Sequence, residues 1–378
     1  MLKFNHSSNK ISRIKIIGVG GAGNNAVNTM INNNLTDVEY VAVNTDLQIL
    51  NVSLAEHKLQ IGKELVKGFG AGGNPDVGKM SAEENEEDIK KMLANTDVVF
   101  IAAGMGGGTG TGAAPVIAKI AKEMELLIIA IVTYPFNFEG KVRKANADFG
   151  MSELKKCVNS LIVIDNDKIL KAFDDIELYQ AFEKSNFVLY NAAKTFNDII
   201  NKEGYMNVDL GDLRTVLSEM GYALIGFGSA SGEKRAEKAA LQALENPLIQ
   251  DISLQETKAV LVNITVGFDF VAKEWEEITN IIYDRTHENT HIIHGLVFEE
   301  NMKENISVSV IATGMLNTDK HSSLIDLPKI KAQTKEEMQE ELEIIRQRIK
   351  KSEMLSPSDN EYSIDEIRKK YYNEGSES

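Results

Sequence analysis

Residues 104–114 read Gly-Met-Gly-Gly-Gly-Thr-Gly-Thr-Gly-Ala-Ala and follow the unbroken apolar run 98–103. A buried strand that empties into a glycine-dense turn opening a helix makes a phosphate cradle. Without Cβ atoms successive backbone amides converge on one anion, and the helix places the positive end of its dipole there. Thr109 and Thr111 are expected to add hydroxyl donors. The stretch lacks the GxxxxGK[ST] pattern, so charge compensation falls to amides and a divalent cation rather than to a lysine. The plain alternative, a flexible glycine linker, does not suit a segment flanked by a strand on one side and the helical period of 115–121 on the other.

A second loop follows the strand-like run 14–19, where Gly18, Gly20 and Gly23 satisfy GxGxxG. A dinucleotide reading of that fingerprint wants an acid about twenty positions on, which Asp46 nearly supplies. An NAD(P)-dependent Rossmann oxidoreductase is therefore the rival function, and the richer loop at 106–112 tells against it. Two cradles facing one ligand point to a polyphosphate.

Both loops require strands that end at one edge of a sheet. Strand-like runs at 14–19, 40–43, 98–103, 128–133 and 161–164 alternate with helical or polar stretches. This is the rhythm of a mostly parallel, Rossmann-like α/β sheet, whose ligands bind beyond the carboxyl ends of the strands. A long helix is expected over 176–201, with Leu178, Phe182, Leu189, Ala193, Phe196 and Ile200 near the 3.6-residue period. Beyond it, 223–227, 260–265, 291–298 and 306–313 are strand-like, with helices around 234–244 and 274–284. A second, smaller α/β domain follows, its sheet mixed because the last two strands lie too close in sequence for a helical crossover. The expected division is an N-terminal extension 1–12, a nucleotide-binding domain 13–175, a connecting helix 176–202, a second domain 203–316 and a tail 317–378. The tail combines a polar linker, a charged helix at 335–351 striped by Met338, Leu342, Ile345 and Ile349, and a variable end.

Composition narrows the class. A chain of 378 residues suggests two domains at about 150 residues each. The formal net charge of −15 argues against nucleic-acid binding, since phosphate backbones select basic surfaces. No run approaches the roughly 18 apolar residues of a membrane span, and 1–12 is polar rather than signal-like, so a cytoplasmic protein without membrane insertion is expected. The single cysteine, Cys157, rules out an intramolecular disulfide and reads as packing. His287, His291 and His294 have ligand-like spacing. The odd separation of the last two along a strand sends them to opposite faces, and no cysteine or acidic partner completes a set.

At 106–112, Gly-Gly-Gly-Thr-Gly-Thr-Gly is the tubulin signature, and the chain resembles the tubulin/FtsZ family over about 15–313. Further blocks carry the likeness: Gly20-Gly21-Ala22-Gly23-Asn24, Val43-Asn44-Thr45-Asp46, Gly68-Phe69-Gly70-Ala71-Gly72-Gly73-Asn74-Pro75, Pro135-Phe136-Asn137-Phe138-Glu139-Gly140, Asn166-Asp167-Lys168 and 206–214. The resemblance implies a GTPase that polymerises head to tail for the bacterial division ring at mid-cell, with GTP/GDP and magnesium as ligands. By position, Gly20, Gly21, Ala71, Gly72, Gly107, Gly108, Thr109 and Gly110 would surround the phosphates, and Asn44 and Gly104 would belong to the same nucleotide site. Glu139 and Arg143 would lie near the ribose, Asn24, Phe182 and Asn186 around the guanine, and Asn166 at the nucleoside end. Asn207, Asp209 and Asp212 would be the catalytic residues, supplied by one subunit to the nucleotide of the next. The residues alone allow plainer readings: an ion pair four residues apart for Glu139 and Arg143, and a turn with a helix N-cap for 207–212.

Two features depart from the family. Phe187 stands where an aspartate usually bonds the guanine edge, which can leave base donors unpaired at a cost of about 1 to 3 kcal/mol. The Phe187 ring could stack on the base; packing within the long helix is the reading favoured here. Residues 362–372 are a loose analogue of the terminal peptide through which the family binds membrane adaptors and regulators. A nucleotide-gated filament without turnover stands as a further alternative.

Overall fold

The computed structural model describes residues 12–172, 176–202, 210–218, 222–249 and 254–314. Asn207, Asp209 and the whole of 317–378 lie outside the described residues, as does all but the last residue of the extension 1–12. In chain order the elements are β1 Ile14–Val19, α1 Gly20–Asn32, β2 Glu39–Asn44, α2 Leu47–Val52, β3 His57–Gln60, α3 Pro75–Glu84, α4 Glu86–Leu93, β4 Val98–Gly104, α5 Thr109–Glu123, β5 Leu127–Tyr134, α6 Lys141–Lys155, β6 Ser160–Asp165, α7 Asn166–Ala172, α8 Leu178–Asn201, α9 Leu210–Ser218, β7 Tyr222–Ser231, α10 Arg235–Leu244, β8 Ala259–Val266, α11 Ala272–Arg285, β9 His291–Phe298 and β10 Asn305–Thr313.

The strands form one sheet in the order β3-β2-β1-β4-β5-β6-β7-β10-β8-β9. Every neighbouring pair from β3 to β7 is parallel, as helical crossovers require. Alternate residues explain why these strands read as unbroken apolar runs. Ile14, Ile16, Phe100 and Ala102 pack on one face with α1 and α8, while Ile17, Val19, Val99 and Ile101 pack on the other with α5 and α6. Both faces are covered, so neither can be polar. Phe196 of α8 anchors against Phe100 of β4, with ring centroids 5.8 Å apart.

β10 runs antiparallel to both neighbours, β7 and β8, and β8 pairs parallel with β9. The short 299–304 link reverses direction, giving the mixed character expected, but β10 inserts between β7 and β8 instead of lying beside β9. The stripe expected along α8 holds for Leu189, Ala193 and Phe196, which are buried, whereas Leu178 and Phe182 at its start are 57% and 42% exposed. β3 was not expected. It is a short edge strand of sequence His-Lys-Leu-Gln, without apolar alternation, formed because β2 offers a free edge. Among the described residues no helix is long and apolar enough to cross a membrane.

Candidate nucleotide site

Three loops meet beyond the carboxyl ends of β1 and β4, and the glycines are what let them meet. Gly20, at φ +74°, follows β1 directly, and a Cβ there would lie 2.8 Å from the backbone nitrogen of Gly110. A Cβ on Gly108 would lie 2.8 Å from Ala71 Cβ and 2.9 Å from the backbone nitrogen of Asn74, so the 68–74 loop closes the third side. Gly112 leaves still less room, its Cβ position being 1.9 Å from the Pro75 carbonyl oxygen. Gly107 differs: a Cβ there meets nothing within 4 Å. It is the one glycine of 104–112 that faces open space, two residues before the start of α5.

Polar side chains brace these loops from behind. Asn24 is 1% exposed; its Nδ2 donates to Gly18 O at 2.7 Å and its Oδ1 accepts from Asn44 Nδ2 at 2.8 Å. Asn44, also buried, accepts from the Asp46 backbone N–H at 3.1 Å. The Thr45 and Thr109 hydroxyls lie 2.7 Å apart, joining the β2 end to the start of α5. Thr111, expected to be a ligand donor, is fully buried, and its hydroxyl accepts from the Gly106 N–H at 2.8 Å. It shapes the loop instead. Asn24, expected around the guanine, is likewise occupied within the protein. The buried positions of α1 are Gly20, Gly23, Asn24, Ala26, Val27 and Met30, whereas Asn25 is exposed. The helical spacing within that set, from Gly20 through Asn24 and Val27 to Met30, is legible in the sequence and could have separated the two asparagines. Asp46 caps α2, accepting from the Gln48 N–H at 2.8 Å and the Ile49 N–H at 3.4 Å, which engages the acid a dinucleotide site would aim at its ribose.

A second wall follows β5. Glu139 is held by the Phe136 N–H, which donates to Oε1 at 2.9 Å, and by Arg143 Nη1, which donates to Oε2. The four-residue ion pair anticipated from spacing is thus present, with the Glu139 side chain 14% exposed and Arg143 57%. The Gly106 Cβ position lies 2.8 Å from the Arg143 carbonyl oxygen, so this wall abuts the phosphate-type loop. Phe182 meets Phe136 edge-on at 5.1 Å and keeps part of its ring exposed, while Phe138 stacks on the same Phe136 at 4.8 Å. Asn166 is buried, and its Oδ1 accepts from Ser185 Oγ at 2.9 Å, tying α7 to α8. Asn186 is half-buried. Phe187 is not core packing: it is 44% exposed, touching Tyr190 with ring centroids 5.4 Å apart.

Asp212 stands exposed in the first turn of α9, where an acid favours the helix dipole. Two residues on, Arg214 Nη2 donates to Glu125 O at 3.3 Å. Glu125 precedes β5, whereas the cradle lies at the other end of the paired strands, where Gly104 meets Thr133. A strand of this length spans about 20 Å, so the start of α9 and the cradle occupy opposite edges of the sheet. Among the described residues no cluster of three His, Cys, Asp or Glu side chains could hold a metal by itself. His294 packs against Trp275 and Tyr283, with centroids 5.6 and 5.8 Å away.

A family model described as Tubulin/FtsZ family, GTPase domain matches residues 13–174, and one described as FtsZ family, C-terminal domain matches 221–316. The cell division protein FtsZ of Buchnera aphidicola subsp. Baizongia pistaciae is 47% identical over 313 residues, 82% of this chain and 81% of that one. Its counterpart from Buchnera aphidicola subsp. Schizaphis graminum is 48% identical over 312 residues, covering 82% and 81%. A solved FtsZ dimer from M. jannaschii, described as empty, matches with a TM-score of 0.78 and 37% identity over 85% of this chain and 94% of that one. CetZ1 from Haloferax volcanii, 21% identical with a TM-score of 0.73 over 83% and 98%, shares the fold.

Proposed function

The chain belongs to the tubulin/FtsZ family, and from that premise we propose that it is a GTPase subunit of the bacterial division ring, assembling head to tail and hydrolysing GTP between neighbours. The observation that carries this reading is the separation of Asp212 from the cradle: a chain whose acid and phosphate loops lie at opposite edges of one sheet brings them together by stacking one copy on the next.

In this reading the phosphates lie against Gly20, Gly21, Ala71, Gly72, Gly104 and the amides of Gly107, Gly108, Thr109 and Gly110, with two helix dipoles aimed at them. Asn24 and Asn44 act from below as locks. Glu139 accepts from a ribose hydroxyl, Arg143 donates beside it, and Asn166 closes the nucleoside end. The exposed ring of Phe182 covers the purine face, and Asn186 with Asn25, in place of Asn24, supplies amide groups to the base edge. Magnesium would be held mainly by phosphate and water, as this ion prefers, and would offset phosphate charge that no lysine neutralises in the loop. The neighbour's Asn207, Asp209 and Asp212 would orient the attacking water, and excluding bulk solvent at the junction would strengthen that orientation. Adaptors and regulators of the ring would bind through the tail, and the filament would work in the cytoplasm at mid-cell.

Mixing purified protein with magnesium and GTP while following phosphate release and light scattering together tests the reading. Both signals should rise together. Binding of NAD(P) without phosphate release, or polymer without turnover, would remove it.

A further inference from the structure

The wall that carries Glu139 must stand at a set distance from the one that carries Asn166 and Phe182, and one ion pair spans that gap. Asp167 Oδ1 accepts from the backbone N–H of Asn137 at 2.9 Å. Lys144 Nζ donates to Asn137 Oδ1 and lies 3.4 Å from Asp167 Oδ2, and it also sits over the Tyr134 ring, 5.6 Å from its centroid. Asn137 begins the turn whose last residue is Glu139, Lys144 lies in the first turn of α6, and Asp167 follows Asn166 at the head of α7. The Ser185 hydroxyl bond to Asn166 carries the same linkage onto α8, close after Phe182.

We propose that Lys144 and Asp167 are positioning residues that set the width of the nucleoside end, on the reading of this site as a nucleotide pocket. A solvated ion pair would contribute little. This one differs in two ways. Its side chains are only 27% and 16% exposed, which reduces screening. It also grips the turn through the Asn137 backbone and side chain, so losing it frees the segment that aims Glu139, while no hydrogen bond of the pair itself reaches the glycine loops. Small displacements of groups that orient a ligand have large effects on how it is held.

The test is competition binding of GTP, 2′,3′-dideoxy-GTP and inorganic tripolyphosphate to the full chain and to Lys144→Met, Lys144→Arg and Asp167→Asn. The wild type should prefer GTP to its dideoxy analogue. Lys144→Met should lose about tenfold in GTP affinity and most of that preference while binding tripolyphosphate unchanged. Lys144→Arg should restore the preference, and Asp167→Asn, which keeps an acceptor for the Asn137 N–H, should fall between. A folded Lys144→Met with intact ribose preference, or with equal losses for GTP and tripolyphosphate, overturns the proposal. A wild type that binds tripolyphosphate but ignores the ribose hydroxyls overturns the nucleoside-end assignment of Glu139 itself, which separates the two failures.

Discussion

Gly107 and Gly112 belong to one loop and should fail for different reasons. Gly112→Ala drives a methyl group into the Pro75 carbonyl, so the loop or α3 must move, at a cost of about 3 kcal/mol or more, read as a large drop in melting temperature. Gly107→Ala meets no protein atom, and its stability should stay within about 1 kcal/mol of the wild type. Yet its methyl would occupy the space assigned to phosphate, and GTP binding should weaken by roughly tenfold or more. A melted Gly107→Ala, or one that binds normally, would break the link between that open space and the ligand. Phe187 poses the specificity question, and its exposure makes the test clean. Phe187→Asp places a carboxylate where water reaches it, so the melt should change little, while GTP should gain on ATP by about tenfold in competition binding. Unchanged selectivity would leave Asn25 and Asn186 as the readers of the base.

At the scale of elements, the central strands and most helices were legible because both faces of the sheet are covered and the glycine punctuation is strong. β3 was not, since an edge strand of polar residues has no pattern to read. Nor was the insertion of β10, because apolar alternation says which face is buried but not which neighbour pairs. What residue type and spacing decide was legible in the candidate site: the glycine loops that converge and the Glu139–Arg143 ion pair. Not legible was that Asn24 is buried and bonded to Gly18 and Asn44, which helix phase decides, or that the Thr111 hydroxyl serves its own loop. The same dependence on packing sets a pH response in the joint of α11 with β9. Burial holds the His294 imidazole below its ordinary range, beside Trp275 and Tyr283, and its Nδ1 has no hydrogen-bond partner. The folded state therefore resists protonation that the unfolded chain accepts, so stability is full above about pH 6.5 and falls as pH drops below it. Melting temperatures between pH 7.5 and 5.5 should fall, and His294→Phe should flatten that part of the curve; an equal slope in the variant would place the sensitivity elsewhere.

If the proposed site is shared between copies, a single chain is catalytically incomplete. The cradle lies beyond the carboxyl ends of β1 and β4, α9 with Asp212 lies toward the other edge, and a connected sheet gives them no way to meet within one copy. Asp212→Ala should accordingly bind GTP nearly as the wild type does while losing roughly a hundredfold in turnover, if the group it removes acts on a neighbour's nucleotide as proposed. The most direct measurement is phosphate release per subunit across a dilution series of the wild-type protein in magnesium and GTP. Specific activity should be near zero below an assembly threshold and climb steeply above it. A constant specific activity down to dilute monomer would show that each chain hydrolyses GTP alone, and would contradict the shared site.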